Sequence, residues 1–484
     1  MGREILLVLP NQLFEAVFTH PDKTIILIEH PAYFRDTAHD VLYHKQKLIM
    51  HRASMQAFYE RLEAKGMRCC YVDYHLACKK TLRRLFEAAP AVYIYDPVDQ
   101  ARTRELEQLS VETDTPLQVI ESPNFLTERH VFTSFFHNKK RYFMADFYAF
   151  QRRRLDIMMV GVNPEGGRYS FDTENRRKLP AGYTVPKPLV FEQDARILAA
   201  MAYVEAHFPD HPGQAETFNH PVTREQALAL LDYFMRHQLN DFGPYQDALS
   251  TSHDSVFHSK LSAPLNIGLL SPREIVDAVL EAPVVLSSKE GFIRQIVGWR
   301  EFMRAMYVLK GDWMRKQNYL HHNRPLHRGF YGEGVGVEAL DLVIEKIHRT
   351  AYAHHIERLM VLGNFMLLVR TDPDAIHRFF MTMFIDAYDW VMVPNIYGMS
   401  QFASGPLLTT KPYFSGAHYL SKMGYDPAGE WMSLWNALFY LFLRDHKAVI
   451  AANPRLKVLL QHLNRHDDAA MRRFEQIAAP WLTT

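Results

Sequence analysis

Cysteine is confined to one short stretch of this chain. Cys69, Cys70 and Cys78 are the only three among 484 residues. That is too few for a disulfide framework and one short of a four-thiolate metal site. No CxxC or HExxH occurs, which removes the commonest zinc signatures. No GxGxxG follows the first apolar run, so a dinucleotide site of the usual kind is not supported. No apolar run approaches 18 residues, and no N-terminal stretch combines a basic start, an apolar run and a small-residue cleavage site. A reducing cytoplasm is therefore the expected location, with no membrane partner. The formal net charge is only +1, so the whole molecule does not attract nucleic acid. Local clusters must do so: Lys139-Lys140-Arg141, Arg152-Arg153-Arg154 and Arg176-Arg177-Lys178.

Apolar residues make up 48% of the chain and charged residues 23%, enough to build the cores of two or three soluble domains. Ile5 to Leu9 and Thr24 to Glu29 are short branched runs that read as buried strands. Apolar residues recur at helical spacing between Lys47 and Lys65, and Gly66 closes that helix. Cys69 to Val72 and Val92 to Tyr95 are further strands. This alternation predicts a Rossmann-like parallel α/β sheet with helices on both faces over residues 1–125. Residues 126–220 read as a long ordered linker: Asn163 to Pro180 is rich in turn formers. From Val222 onward the periodicity is helical, which predicts an all-α domain of about a dozen helices over 221–484.

Candidate chemistry lies in the helical part. Phe257 to Pro272 (FHSKLSAPLNIGLLSP) clusters small hydroxyls, a lysine and a helix start, a combination suited to an anion. Gln295 to Phe302 (QIVGWREF) places Arg300 and Glu301 on one helix, where they compete between function and a structural ion pair. Arg349 to Leu362 carries His354 and His355 inside an apolar helical pattern, with Leu359 on the face of His355. Histidine moves its proton near neutral pH, so one opening into a cavity is a candidate acid.

Taken together these segments resemble the photolyase/cryptochrome superfamily. More narrowly, the chain is similar to the bacterial (6-4) photolyases and iron–sulfur bacterial cryptochromes. PEGGRYSFDTENRRKLP, PVTREQAL, FGPYQDA, FIRQIVGWREF, YAHHIERLMVLGNF, NIYGMSQFASG and TKPYFSG carry the resemblance in unbroken order, and the N-terminal HKQKL fits as well. The resemblance implies FAD in the helical domain and an antenna chromophore, 6,7-dimethyl-8-ribityllumazine, at the α/β domain. It implies light-driven repair of (6-4) lesions flipped out of UV-damaged DNA, by a bacterial protein acting as a monomer. His355 matches the proton donor, and Leu359, Tyr413 and Tyr419 match the lesion pocket. Ser259, Lys260, Leu261 and Ser262 match the flavin phosphate clamp, and Tyr245, Gln295, Trp299, Arg300 and His354 the rest of the cradle. By spacing from SQF, Asp389 and Asn395 fall at the flavin-ring acid and the residue beside N5. Pro10, Glu29, Tyr33 and Lys47 are the antenna candidates.

The chain departs from that family in two places. The family's [4Fe–4S] cluster requires thiolates, yet Ala339 and Ser433 stand at two expected cysteine positions and the loop from Met423 to Trp431 is short. No cluster is expected. Tyr331, Phe379 and Phe380 stand where the family carries oxidisable Trp or Tyr, leaving Trp390, Tyr388 and Tyr397 as substitutes. A blue-light-sensing cryptochrome without repair activity is the alternative reading.

Overall fold

The computed structural model describes residues 3–332, 334–425 and 428–482. Its N-terminal part is built on five parallel strands: β1 (Ile5–Val8), β2 (Thr24–Ile28), β3 (Cys69–Val72), β4 (Val92–Tyr95) and β5 (Leu117–Ile120). They lie in the order β3-β2-β1-β4-β5. Ile5 is in register with Thr24 on one side and Val92 on the other. β1 is buried along its whole length, and β2 in all but its first residue, because helices cover both faces. β5 escaped the sequence reading for a physical reason. It is an edge strand whose Gln118 and Val119 are exposed, so it shows no apolar run.

α1 spans Lys45–Ala64, two residues earlier than the apolar spacing suggests. The His44 ring accepts from the Gln46 N–H and caps it. Gly66, at φ +68°, ends the helix in a left-handed turn that other residues adopt at a cost. α2 (Lys79–Ala88) and α3 (Gln100–Thr113) complete the α/β layer.

Residues 126–220 are not a plain linker. They contain α4 (Arg129–Phe136), α5 (Met144–Leu155) and α6 (Ala195–His207). α5 packs on the Arg294–Arg300 turn of the helical body, and α6 packs on α1. Only the polar stretch between α5 and α6 is mostly irregular, as its turn formers predict. From Arg224 the chain is helical, and the only β-type pairing described there is an isolated bridge between Arg324 and Thr371. No helix among the described residues is long and apolar enough to cross a membrane.

Three helices of this body widen into π-helical turns: Arg294–Arg300, Glu357–Gly363 and Pro394–Ser400. Each carries one of the sequence motifs, and such turns concentrate at functional sites. Two of them touch. A Cβ on Gly363 would lie 2.3 Å from the Ser400 hydroxyl oxygen, so only glycine fits that crossing.

Around Trp435, close in sequence to Ser433, the helical body is filled by rings. Trp435 is fully enclosed, its indole N–H donates to the Ser415 carbonyl at 3.1 Å, and Phe365 and Trp431 pack on it. Ala339 is also buried in the core. Of the short loop before Trp431, Asp426 and Pro427 lie outside the described residues.

The two parts meet across α1. Lys47 is 1% exposed, donates to the Ala387 carbonyl, and has its ammonium 4.4 Å from the ring centres of both Tyr43 and Tyr388. Burial pushes its pKa down to about 7. The unfolded chain therefore binds more protons than the folded one between about pH 7 and the ordinary lysine value, and folding stability rises with pH across that window. The difference in unfolding free energy between the parent and Lys47→Met should grow in the parent's favour by about 2 kcal/mol from roughly pH 7 to 9. Urea titrations at the two pH values measure it; a pH-independent difference would show a lysine charged throughout.

Candidate functional site

Asp386 is the centre of the site. Its carboxylate accepts from the Ser262 hydroxyl at 2.6 Å and from both terminal nitrogens of Arg358 at 2.9 and 3.1 Å. Burial pushes its pKa up, but Arg358 and Ser262 more than reverse this and hold it below the usual value. The Asp386 carbonyl accepts from the Asn266 amide at 2.8 Å. The Asn266 side-chain oxygen in turn accepts from Arg300. Arg300 also reaches the Asn124 side-chain oxygen at 2.9 Å and lies over the Phe125 and Trp390 rings. Burial pushes Arg300 down to about 9, so it remains a cation at neutral pH. Arg300 thus makes no ion pair with Glu301. That carboxyl turns away and accepts from the Leu126 N–H at 3.0 Å, its pKa raised by burial.

This web joins the Ser259–Ser262 turn to the QIVGWREF helix. Lys260 adopts φ +56°, a conformation rare for a side-chain-bearing residue and characteristic of functional turns. Burial pushes its ammonium below the ordinary lysine value, and Asp254, Lys346 and Arg349 stand close enough to act on it. Leu261 is buried behind the turn. Gln295 and Trp299 are half-buried on one side of the first π-helical turn. Val391, just before the third turn, and Asn395 and Met399 on it form a half-buried stripe. Tyr245 stacks obliquely on Phe257 and Tyr183.

Asp389 is not part of this web. Arg315 pairs with it, the Tyr307 hydroxyl donates to it at 2.7 Å, and His377 lies 3.3 Å away. Two acids three residues apart are indistinguishable by spacing, and the side chain that meets Ser262 is Asp386.

His354 and His355 lie at the start of a helix, not inside one. Ala351 closes the preceding helix at φ +52°, and the new helix begins at His355. The Glu357 carboxylate reaches back to the His354 N–H at 3.1 Å, as in a capping box. His354 is buried and stacked on His258, with ring centres 4.1 Å apart and planes 12° from parallel. Burial drives both rings well below the ordinary histidine value. The His355 side chain is 50% exposed, and its Nε2 lies 3.2 Å from an Asp247 carboxylate oxygen. Nitrogens of His258, His354 and His355 lie within 4.8 Å of one another. The stacking argues against a shared metal ion. In-plane lone pairs on parallel rings do not converge on one point.

The polar segment after α5 packs against this region. Glu290, fully enclosed, accepts from the Tyr148 hydroxyl at 3.1 Å, the Phe171 N–H at 2.9 Å and Arg294 at 3.1 Å. Arg294 also reaches Asp172 at 3.2 Å, and Asp172 pairs with Arg176. Asp172 and Arg176 act on Tyr413, and Asp247 and Arg176 on Tyr419. Burial raises both phenols, Tyr419 to about 12. Through Asp247 and Arg176 the structure thus brings His355, Tyr413 and Tyr419 into one neighbourhood, with Leu359 half-buried one turn along from His355.

Several enclosed polar atoms here have no partner within the protein: both side-chain atoms of Asn175, Gln246 Oε1, His258 Nδ1, His354 Nδ1 and Gln401 Oε1. Leaving such atoms unpaired is costly, so a bound polar ligand is the expected partner. Asn175, Gln246, His258, Asp386, Arg358 and Asn266 were not singled out by sequence. All but Asp386 sit inside the quoted segments; Asp386 has no local signature at all.

The antenna candidates fare differently. Glu29 is fully buried, held by Arg52 at 2.7 Å, the Tyr71 hydroxyl at 2.6 Å and the Tyr74 N–H at 2.8 Å. Lys47 is committed to Ala387, and Pro10 and Tyr33 are buried. These residues are sealed within the protein and do not line an open sheet edge. The open cleft nearby, about 380 Å³, is lined by His30, Arg35, Asp36, Lys79, Arg102 and Glu105.

One member of a basic cluster is also not on the surface. Arg152 is fully buried and donates to the Ile157, Met158 and Tyr169 carbonyls. Lys140, Arg141, Arg153, Arg154, Arg177 and Lys178 are exposed.

A parallel α/β layer joined to a helical body with a polar cavity is the architecture of the photolyases and cryptochromes. The fold matches a bacterial class III photolyase from Agrobacterium tumefaciens, with TM-score 0.59, 17% identity, and coverage of 100% of this chain and 98% of that one. It matches a Synechocystis cryptochrome with TM-score 0.59, 16% identity and coverage of 98% and 94%. An archaeal photolyase from Sulfolobus tokodaii, whose crystal structure holds two FAD molecules, gives TM-score 0.55 at 14% identity, covering 89% of this chain and 90% of that one. The family profile described as "Deoxyribodipyrimidine photo-lyase-related protein" matches residues 6–220. In sequence the chain is 33% identical to a (6-4) photolyase of Agrobacterium fabrum over 479 residues, 94% of each chain. It belongs to the bacterial (6-4) photolyase family of the photolyase/cryptochrome superfamily.

Glu290 holds the polar segment after α5. Glu290→Ala would leave Arg294 buried without its nearer partner, which typically costs about 3–5 kcal/mol. The variant should unfold at lower denaturant, and residues 165–180 should become the earliest site of proteolytic cleavage. Parent-like stability would show that Asp172 alone suffices for Arg294.

Proposed function

We propose that this protein binds FAD in the cavity around Asp386 and repairs (6-4) pyrimidine–pyrimidone lesions in UV-damaged DNA. The observation that carries the reading is His355: a half-exposed histidine, held by Asp247, beside the buried His354 and His258 whose Nδ1 atoms lack partners. The donor set fits a flavin nucleotide. Ser259, Lys260 and Ser262 would face its phosphates, with Leu261 behind them and Tyr245 alongside. Gln295, Trp299, Arg300, Arg358, Asp386 and Asn395 would surround the rings, and the bare nitrogens of His258 and His354 would accept from its N–H or O–H groups. FAD would supply, on illumination, the electron that opens the lesion.

The protein's own part is to hold the lesion and to move a proton. The Asp247 carboxylate only accepts, so Nε2 of His355 carries a hydrogen toward it and Nδ1 is left for the substrate. A protonated ring delivers its proton from Nδ1. Leu359 supplies an apolar floor, and Tyr413 and Tyr419 remain neutral phenols able to donate hydrogen bonds. Exposed Lys140, Arg141, Arg153, Arg154, Arg177 and Lys178 would meet the DNA backbone. The open cleft beside α3 is the better place for a lumazine antenna than the sealed Glu29 and Lys47. Light sensing without repair is the second reading, favoured by the equal fold match to a cryptochrome.

Blue-light repair of a (6-4) lesion by protein with pre-reduced flavin separates the two. The parent should restore the lesion. His355→Asn should bind flavin normally and lose about 10²–10⁴-fold in repair rate. An inactive parent with a full complement of flavin would favour the sensor.

Elemental analysis should find no iron. No thiolate follows Cys78, and the ligand chemistry of iron–sulfur clusters does not accept Ala339 and Ser433 in their place. Stoichiometric iron would overturn this expectation.

A further inference from the structure

Tyr388 and His51 form a pair that the repair reading leaves unused. Both are buried, one on the helical body and the other on α1. The Tyr388 oxygen lies 2.7 Å from His51 Nε2, and His51 Nδ1 lies 3.1 Å from the Tyr33 carbonyl. A carbonyl only accepts, so Nδ1 carries the hydrogen. Burial and the Lys47 charge push His51 down to about 3, so the ring is neutral and Nε2 is a bare acceptor. The phenol therefore donates to the imidazole. Proton loss from Tyr388 to water is closed off, since burial and Asp386 raise its pKa well above the ordinary value.

The position of this pair gives it a use. Asp386, which accepts from Ser262, is two residues before Tyr388, and two residues of chain span at most about 7 Å. Trp390 lies two residues further along, but the Arg300 guanidinium 4.8 Å over its ring stays charged at neutral pH and opposes removal of an electron from it, whereas the Lys47 ammonium 4.4 Å from the Tyr388 ring loses its charge as pH rises through about 7. Phe379 and Phe380 have no readily oxidised ring. Tyr397 directs its hydroxyl at Asp374 on an exposed stretch of helix.

We propose that Tyr388 is the residue that reduces the light-excited oxidised flavin, passing its proton to His51 as its electron leaves. This rests on the flavin reading above. The balance is simple. One electron leaves the Tyr388 ring for the flavin, the O–H bond breaks, and the proton forms a bond to His51 Nε2. The products are a neutral tyrosyl radical and an imidazolium. A thiol from solution then returns one electron to the ring, and the proton goes back from His51. Lys47 sets the pH dependence. Its ammonium faces Tyr388 and Tyr43, with Asp386 the nearest acid acting on it and Tyr33 the other phenol beside His51. A charged Lys47 opposes a second positive charge on His51, so the radical should form faster as pH rises through about 7.

The test is time-resolved absorption and electron paramagnetic resonance on flavin-loaded full-length protein, starting from the oxidised flavin and a blue flash. Flavin content is measured first in the dark. A neutral tyrosyl signal is expected in the parent, in Tyr33→Phe and in Tyr397→Phe, and absent in Tyr388→Phe. His51→Gln, which keeps a hydrogen-bond acceptor but takes no proton, should slow radical formation by about a hundredfold and remove its solvent deuterium effect. A protein that cannot be loaded with flavin defeats the flavin reading itself. Full loading with a tyrosyl signal that survives Tyr388→Phe, disappears in Tyr397→Phe, or forms at the parent rate in His51→Gln overturns this proposal alone.

Discussion

A carboxylate taken entirely out of water survives only if its charge is met, and the helical body is arranged around meeting the charge of Asp386. Arg358 opposes it from the helix that starts at His355, Ser262 donates from the clamp turn, and Asn266 fixes the backbone of Asp386 itself. Removing either ion would leave its partner stranded, and that penalty outweighs what the pair contributes when intact. The consequence is positional. Three segments far apart in sequence are held in one register, and through Asn266 and Arg300 the same web reaches the first helical turn of QIVGWREF and the loop at Asn124.

The π-helical turns serve that arrangement. A helix of regular pitch places side chains every 100°; a widened turn advances one more residue and shifts which side chains face inward. The turns at Arg294–Arg300, Glu357–Gly363 and Pro394–Ser400 each occur where a motif meets the cavity. Gly363 lets two of them cross against Ser400. The segment Tyr169–Arg177 is tied to the core by Glu290 and Arg294.

The helical body is packed by aromatic rings at two places. Trp431, Trp435 and Phe365 meet at one, with the Trp435 N–H satisfied by Ser415. Buried aromatic rings contribute roughly 1.5–3 kcal/mol each, so such a cluster is a substantial part of the local stability. Phe380 stacked on Phe384 packs in the same way.

Sequence by itself determined the parallel layer, the helical remainder and the motifs, because each rests on local periodicity or on residues adjacent in the chain. β1, β2 and β4 were legible since burial on both faces leaves unbroken apolar runs; β5 was not, being an exposed edge. His355, Tyr413 and the Ser259–Ser262 turn were legible as pieces of motifs. What the tertiary structure decided was orientation. It set Asp386, not Asp389, against Ser262, placed His354 and His355 at a helix start although the apolar pattern runs on through them, and drew Arg152 from a basic run into the core. It also brought Asn175 from an apparent linker into the cavity wall. Each of these depends on which partner a charge or polar group meets across more than a hundred residues of chain or around a single turn. A linear pattern records spacing, and only the packed structure fixes the direction in which a side chain points.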